Sequence, residues 1–270
     1  MAIEGQWIDY GDQKGYFAAP EKASAPLPAI IVIQEAWGVN EHIEDVTRRF
    51  AAAGYAALAP DLFAVGGVRP VALSRERIEK AMKFMRQLPP AAMGNPAARD
   101  AELVKLPESD RKELGETFGQ LFGGPGRLAG YIPRLREAVR HLRTTQKETK
   151  AQKVACVGFC MGGGLSALLA CEEPKISGAA VFYGTTPPAE KIPSIHCPVI
   201  GFYGGNDQRI NAGIPVFEEA MRNAGKSYEH VVYEGANHSF FNDDGQSYNV
   251  KAVRDAFVRL LTFFQKILSD

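Results

Sequence analysis

The motif with the clearest chemical meaning is a cysteine between two glycines, Gly158-Phe-Cys160-Met-Gly162. A hydrophobic run, 153–158, precedes it, and a helix-forming segment, 165–171, follows it. A strand, a tight glycine-flanked turn and a helix in this order are typical of a nucleophile elbow, here with cysteine in place of serine. The positive end of the helix dipole favours a thiolate at such a position. We therefore predict that Cys160 is a nucleophile; the alternative is a buried structural cysteine beside glycines needed only for packing.

A nucleophile needs a general base and an acid that orients the base, and candidates for both follow downstream. Asp207 lies in a glycine-rich turn after the predicted strand 199–203, and His238 follows the predicted strand 230–233. The chain order Cys160, Asp207, His238 is typical of α/β-hydrolases. Taken singly, a loop histidine is usually solvated or a cap, and an aspartate in a glycine turn is usually a turn former. Their joint placement predicts a catalytic triad.

The remaining histidines and cysteines lack this placement, and we interpret them as structural. They are His42, His141, His196, His230, Cys156, Cys171 and Cys197. No set of Cys and His has zinc-ligand spacing, and no glycine-rich loop has the P-loop or dinucleotide pattern. The sequence therefore predicts neither a metal nor any other cofactor.

Seven short runs rich in Val, Ile, Ala and aromatic residues are predicted strands. They are 15–18, 29–34, 55–59, 153–158, 178–183, 199–203 and 230–233. Apolar residues at helical spacing predict helices over 134–143 and 250–268. Several strands are hydrophobic throughout, as expected of parallel strands covered on both faces. The pattern predicts a three-layer α/β sandwich: a mostly parallel, twisted sheet with helices on both faces and ligands bound at the carboxyl ends of the strands.

The stretch from Asp61 to Lys153 is too long for a single crossover helix and contains several glycine and proline breaks. We predict two or three additional helices there. Within a single domain spanning 1–270, they form a helical insertion at about 62–126 that could act as a lid. No internal repeat or linker argues for a second independent domain.

Composition and charge exclude several classes of protein. The 270 residues are 46% hydrophobic and 23% charged, and 31 basic residues balance 31 acidic ones. Nucleic-acid-binding proteins usually show a basic excess, so we predict no nucleic-acid partner. The apolar run near the N-terminus is short of the ~20 residues of a membrane helix, and the first residues lack the character of a signal peptide. Four cysteines without a Cys-x-x-Cys pair suit a reducing compartment. We predict a cytoplasmic protein with no membrane partner.

Beyond these local motifs, the chain resembles the dienelactone hydrolase (carboxymethylenebutenolidase) family of α/β-hydrolases. The resemblance is carried by QEAWGVN at 34–40, APDLF at 59–63, GFCMGGG at 158–164, GGND at 204–207 and NHSF at 237–240. It extends over about residues 15–268. The resemblance implies the α/β-hydrolase fold and hydrolysis of a small-molecule ester or lactone, with Cys160, Asp207 and His238 as the triad.

The resemblance also implies roles outside the triad. Glu35 corresponds to a glutamate that contacts the cysteine at rest and moves away as substrate binds, helping to release a thiolate paired with the histidine. The backbone N–H groups of Met161 and Ala36 correspond to the donors of the oxyanion hole. From the residues alone, Glu35 could handle protons at the end of a buried strand. It could also be the N-cap or a first-turn acid of a helix over 41–54.

The predicted substrate pocket contains Trp37, Phe63, Arg69, Ser239 and Asn242. Family enzymes that act on dienelactone hold its carboxylate with arginines, one of them four residues after the catalytic histidine, where Asn242 stands in this chain. Arg69 lies after the APDLF motif, where another family arginine is expected. Because an amide lacks the bidentate, charge-assisted contact of a guanidinium, we expect weaker recognition of a carboxylate.

These observations favour an ester or lactone hydrolase with a cysteine nucleophile, and two alternatives remain. One is a glutaminase of the class I amidotransferase type, which also has Gly-x-Cys-x-Gly at a strand–helix turn. Those enzymes carry an acid two residues after the histidine, where Phe240 stands here. The other is a non-enzymatic binding protein on a hydrolase fold, since folds host unrelated functions. The joint presence of the triad residues and Glu35 argues against it.

Overall fold

The computed structural model describes residues 3–89, 95–123 and 126–269. The chain forms two compact units: one combines Met1–Leu62 with Leu128–Asp270, and the other is Phe63–Arg127. The first unit contains the sheet, and the second is helical. That the second unit acts as a lid stays a prediction. The glycine and proline breaks predicted in this unit include residues 90, 94 and 124–125, which lie outside the described residues.

The first unit is built on one sheet. Within the described chain its strands are β1 (Ile3–Tyr10), β2 (Gln13–Pro20), β3 (Ala29–Ile33), β4 (Ala56–Pro60), β5 (Val154–Phe159), β6 (Ile176–Phe182), β7 (Val199–Gly204) and β8 (Tyr228–Tyr233). Their spatial order is β1-β2-β4-β3-β5-β6-β7-β8. The pairs β1–β2 and β2–β4 are antiparallel, and all later neighbours are parallel. The prediction of a mostly parallel sheet is confirmed, and the carboxyl ends of β3 and β5 to β8 share one edge.

Helices cover both faces of this sheet. The helices among the described residues are α1 (Glu41–Ala52), α2 (Arg75–Gln87), α3 (Pro96–Leu103), α4 (Glu108–Phe122), α5 (Ile132–Thr144), α6 (Met161–Glu172), α7 (Gln208–Asn211), α8 (Ile214–Asn223) and α9 (Val250–Leu268). Ile31 and Ile33 of β3 pack with residues of α5 and α6, whereas Ile30 and Val32 pack with residues of α1 and α9. Because side chains alternate along a strand, these are opposite faces, and the three-layer prediction is confirmed. Within the described residues, no helix has both the length and the apolar character needed to cross a membrane.

Strand β1 is missing from the seven predicted strands, so the set of predicted strands is incomplete. The strand is hydrogen-bonded only to β2 in the sheet order, and Trp7 is 37% exposed. An edge strand of this kind buries little apolar surface, so its sequence carries a weak strand pattern. Its order comes from pairing with β2, where Trp7 lies opposite Tyr16 with ring centroids 6.0 Å apart.

The helical unit is held together by an aromatic contact and by ion pairs between α2 and α4. The rings of Phe84 and Phe118 lie 5.9 Å apart. Arg77 donates to Glu113 at 2.7 Å, and Lys80 donates to Asp110 at 2.7 Å. The start of α2 is capped by Ser74, whose hydroxyl accepts from the Arg77 backbone N–H at 3.3 Å.

Candidate active site

Cys160 lies in the turn between β5 and α6, at the carboxyl edge of the sheet. Its backbone has φ 56° and ψ −112°, a conformation that costs a non-glycine residue free energy and that clusters at functional sites. The N–H of Cys160 donates to the carbonyl oxygen of Phe182 at 3.0 Å. A Cβ on Gly158 would lie 1.8 Å from the Gly162 carbonyl oxygen, and one on Gly162 would lie 2.3 Å from that of Ile33. The close approach of strand, turn and helix therefore requires both glycines.

Asp207 and His238 are joined by a short hydrogen bond. His238 Nδ1 lies 2.5 Å from Asp207 Oδ2, and the two side chains are 32% and 9% exposed respectively. The other carboxylate oxygen of Asp207 accepts from the Ile210 N–H at 3.4 Å, which makes Asp207 the N-cap of α7. Burial favours the neutral acid, but the hydrogen bond and charge of His238, the Ile210 N–H and the charge of Arg209 together outweigh burial and hold the pKa of Asp207 below its ordinary value. Asp207 is thus an ionised partner that fixes the orientation of the imidazole.

Besides its bond to Asp207, His238 interacts with the side chain of Cys160, which helps to raise the pKa of the imidazole. Since Nδ1 faces Asp207, Nε2 is the nitrogen left for the sulfur. Burial lowers the pKa of His238, but the hydrogen bond to Asp207 and the interactions with Cys160, together with the charges of both groups, outweigh burial and raise that pKa to about 10. The imidazole therefore holds a proton at neutral pH, in the position from which a general acid can release it.

Backbone contacts lock the loops of Asp207 and His238 together. The N–H of Gly205 donates to Tyr233 O at 2.8 Å, and that of Asn206 donates to Ala236 O at 3.0 Å. The side-chain amide of Asn206 also donates to Asn237 Oδ1 at 2.9 Å. Because the two loops share these bonds, the Asp207–His238 distance is set by the sheet edge as much as by the pair itself.

Glu35 lies just beyond β3 and is buried, with 3% of its surface exposed. One carboxylate oxygen accepts from the Tyr183 hydroxyl at 3.3 Å, and the other accepts from the Asn242 side-chain amide at 2.9 Å. The alternative of a helix cap is wrong for Glu35. Helix α1 begins at Glu41 and is capped by Asn40, whose side chain accepts from the Ile43 N–H at 3.2 Å.

Tyr183 is a site residue that the sequence patterns do not indicate. Its ring centroid lies 5.0 Å from that of His238, and its hydroxyl contacts Glu35. Burial, followed by the charges of Glu35 and Cys160, raises the pKa of Tyr183 well above its ordinary value. Its position directly after β6 at the carboxyl edge is the one signal that could have drawn attention to it.

Comparison with known proteins shows the family of this chain. A family model described as the dienelactone hydrolase family matches residues 13–268. The chain belongs to the dienelactone hydrolase family. A Saccharolobus solfataricus protein provisionally named carboxymethylenebutenolidase is 34% identical over 255 residues, which cover 94% of each chain. An Escherichia coli K12 protein with the same provisional name is 28% identical over 262 residues, which cover 93% of this chain and 81% of the other.

A solved structure gives the same result for the fold. A Klebsiella pneumoniae protein, provisionally described as a dienelactone hydrolase, is 27% identical and superposes with a TM-score of 0.67 over 98% of this chain and 99% of the other. The resemblance to the dienelactone hydrolase family and the predicted α/β-hydrolase fold are both confirmed.

The predicted oxyanion donors are the N–H groups of Met161 and Ala36, and the fold brings their segments together. Met161 is the first residue of α6, so its N–H is one of those without an intrahelical acceptor. Gly162, the next residue, packs against the carbonyl oxygens of Ile33 and Gln34, directly before Glu35 and Ala36. This close approach places the start of α6 beside the loop that follows β3.

The structure gives the surroundings of each predicted pocket residue separately, and their role in binding stays a prediction. Asn242 is buried, donates to Glu35 and accepts from the Asp244 N–H at 3.0 Å, so its amide is engaged within the site. Ser239 is half-buried with φ 61°, and Trp37 is half-buried in the loop after β3. Phe63 and Arg69 belong to the helical unit, where the guanidinium lies 5.9 Å from the centre of the Phe63 ring.

The other cysteines differ sharply from Cys160. Cys156, Cys171 and Cys197 are buried free thiols. Burial raises the pKa of Cys156 to about 12, that of Cys171 to about 11 and that of Cys197 to about 12. They remain protonated and unreactive at neutral pH. Within the part of the chain that the structure describes, no group of three His, Cys, Asp or Glu side chains could hold a metal ion.

Proposed function

We propose that this protein hydrolyses carboxylic esters or lactones with Cys160 as the nucleophile, His238 as general acid and base, and Asp207 as the group that orients His238. The observation that carries the proposal is the hydrogen-bonded Asp207–His238 pair, whose imidazole interacts with Cys160 on a strained elbow. Membership of the family supports the substrate class, since relatives carry the provisional name of a butenolide-opening enzyme, and a butenolide is a lactone.

The geometry supports a two-step acyl transfer. The Cys160 thiolate adds to the carbonyl carbon, and the backbone N–H groups of Met161 and Ala36 receive the oxyanion. Collapse breaks the C–O bond, and His238 gives its proton to the leaving oxygen. A water molecule then gives a proton to His238 and attacks the thioester, the C–S bond breaks, and the acid leaves. With a lactone the alcohol stays attached to the acyl group, so the product is a ring-opened acid.

Glu35 is assigned to the protonation of the nucleophile. Its carboxylate and the Cys160 sulfur both act on the pKa of Tyr183, so the three groups share one pocket. A carboxylate held there by two neutral donors can accept the thiol proton when substrate binds. This is the role that the family resemblance implies for Glu35.

The glutaminase alternative is disfavoured by the surroundings of residue 240. Phe240 occupies the place of the required acid, is fully buried, and packs edge-on to Tyr183 with ring centroids 5.4 Å apart. A binding protein without catalysis would not need the strained elbow or the Asp207–His238–Cys160 chain.

The test is hydrolysis of p-nitrophenyl acetate, a neutral lactone (dihydrocoumarin) and dienelactone by wild type and by Cys160→Ala. We expect Cys160→Ala to lose at least ~10³-fold in kcat/KM on each accepted substrate. Cys171→Ala is the matched control, because it removes a buried free thiol near the end of α6 that lies opposite Cys160, and its kcat/KM should stay within about two-fold of wild type.

Two results would reject the proposal. Full activity of both Cys160→Ala and Cys160→Ser would exclude Cys160 as the nucleophile. Release of ammonia from glutamine at a rate comparable with ester cleavage would favour the glutaminase.

A further inference from the structure

We propose that Tyr183 is a positioning residue that holds Glu35 and His238 in their working orientations at the same time; this inference rests on the proposed function. Its hydroxyl donates to Glu35 at 3.3 Å, and its ring lies against the imidazole of His238 with centroids 5.0 Å apart. One side chain thus contacts both groups that handle protons around Cys160.

The backbone shows that Tyr183 is forced into this position. Its φ is 39°, in the region that β-strand residues avoid and that persists only where surrounding contacts over-determine it. Its N–H donates to the Phe202 carbonyl oxygen at 2.8 Å, which continues the pairing of β6 with β7 past the end of the strand. The turn of the backbone away from the sheet directs the side chain toward the catalytic edge.

The ring has no room to adopt another orientation. Tyr183 is 1% exposed and is enclosed by aromatic rings, with centroid distances of 6.3 Å to Phe159, 6.0 Å to Phe182 and 5.4 Å to Phe240. A hydroxyl on a ring fixed in this way presents its proton to Glu35 at little entropic cost.

The hydroxyl can act only as a neutral donor. Burial and the nearby charges of Glu35 and Cys160 keep the pKa of Tyr183 far above physiological pH, so it neither supplies nor takes a proton in the reaction. Glu35 receives a second neutral donor from Asn242, on the loop of His238. With Tyr183 removed, the carboxylate would be held from one side only and could turn away from the nucleophile.

The experiment compares Tyr183→Phe with Tyr203→Phe. Tyr203 is the matched control: it lies in β7, is also 1% exposed, and its hydroxyl is bonded to Tyr228 at 3.0 Å, away from the triad. Each variant loses one buried hydroxyl and keeps its ring, so a purely structural role predicts equal effects. Melting temperature and circular dichroism establish that both variants fold.

We expect Tyr183→Phe to lower the acylation rate of p-nitrophenyl acetate by ~10–100-fold, the cost of one hydrogen bond to a charged group. KM should change by less than about two-fold, since the substrate does not bind to the hydroxyl. The rate of Cys160 alkylation by iodoacetamide at pH 7.5 should fall in the same variant, because Glu35 can turn away from the nucleophile. Tyr203→Phe should leave acylation and alkylation within about two-fold of wild type.

A double-mutant cycle tests whether Tyr183 acts through Glu35. In a Glu35→Gln background, Tyr183→Phe should cost less than about two-fold in acylation rate, because the group that it positions has gone. Equal costs in both backgrounds would overturn the proposal, as would a Tyr183→Phe variant that matches Tyr203→Phe in acylation and alkylation. Activity retained by Cys160→Ala would instead reject the proposed function, so the two failures are distinguishable.

Discussion

Two groups of polar side chains in this protein are organised in opposite ways. The catalytic cluster consists of Cys160, Asp207, His238, Glu35 and Tyr183 and lies at the carboxyl edge of the sheet. Among the described residues, four non-glycine residues have positive φ, and three of them, Cys160, Tyr183 and Ser239, lie in or beside this cluster. The helical ion-pair cluster consists of Arg77, Lys80, Asp110 and Glu113 and lies on the regular helices α2 and α4.

The difference shows what each arrangement provides. In the catalytic cluster pKa values are displaced, most clearly that of His238, which its interactions with Asp207 and Cys160 raise to about 10 against the effect of burial. Such a cluster costs conformational strain and desolvation, and it yields groups poised to move protons. In the helical ion-pair cluster, Lys80 is 39% exposed and its charge is screened by solvent. Pairs of that kind contribute little stability, but they demand no strained backbone.

The largest expected effect comes from removing the charge of Asp207. Asp207→Asn should lower kcat/KM by ~10³-fold, because the amide cannot stabilise the imidazolium and can stabilise the wrong tautomer. The raised pKa of His238 depends on Asp207, so that pKa should fall. The loss of activity at alkaline pH, which in the wild type occurs near pH 10 as His238 loses its proton, should therefore move to lower pH. A pH–rate profile measures both effects.

Asp255→Asn is the control for this prediction. Asp255 is hydrogen-bonded to Tyr233 at 2.9 Å and to Arg259 at 2.6 Å, outside the catalytic cluster, so its substitution should leave the profile unchanged. If the Asp207→Asn variant loses activity at the same alkaline pH as the wild type, Asp207 does not raise the pKa of His238.

The sequence predicts the parts of the site that depend on local patterns. Cys160, Asp207 and His238 each follow a recognisable strand, and parallel strands bring their carboxyl ends to one edge. In the structure His238 is hydrogen-bonded to Asp207, and Cys160 contributes to the raised pKa of His238. Helix α9 was predicted at 250–268 and is observed at Val250–Leu268.

The contacts of Glu35 could not be predicted from local patterns. Its partners Tyr183 and Asn242 are 148 and 207 residues away in the chain. Neither the tyrosine at the end of a strand nor the asparagine in a loop stands at a sequence spacing that marks it as a partner of Glu35. Their approach depends on the packing of the turns after β3, β6 and β8. Strand β1 was missed for a related reason, because the hydrogen bonds that order it come from β2 rather than from its own composition.

The second prediction compares the effect on stability of replacing a glycine at the nucleophile elbow and a glycine in the helical unit. Gly158→Ala should lower the free energy of unfolding by about 3 kcal/mol or more, or prevent folding, because the added carbon would overlap the Gly162 carbonyl oxygen. Gly115 is the matched control. It lies within α4 with nothing near its absent Cβ, so Gly115→Ala should raise stability by about 0.5–1 kcal/mol through helix propensity. Urea unfolding measures both changes, and a Gly158→Ala variant as stable as Gly115→Ala would contradict the packed elbow.

The smallest effect distinguishes two ion pairs of similar exposure. Asp243, on the loop of His238, is 33% exposed and bonds both the buried His42, at 3.2 Å, and Arg49. Burial opposes ionisation, but the hydrogen bond and charge of Arg49, with a backbone hydrogen bond and His42, together outweigh burial and hold the pKa of Asp243 below 3.8. The pair thus contributes stability above pH 3.8, and this is lost as pH falls through the lowered pKa. Asp243→Asn should lower Tm by about 2–4 °C at pH 7 and by much less at low pH.

Lys80→Met is the counterpart in the helical ion-pair cluster, at 39% exposure. The Lys80 ammonium donates to the carboxylates of Asp110 and Glu113 on the surface of α4. Salt and solvent screen this pair, so the loss of Lys80 should change Tm by less than about 2 °C. Thermal melts of both variants at pH 7 and in acid, with and without added salt, compare the two pairs directly. If Lys80→Met lowers Tm more than Asp243→Asn does, the contrast between the two regions does not hold for stability. Burial of one partner, here His42, would then not decide how much an ion pair contributes.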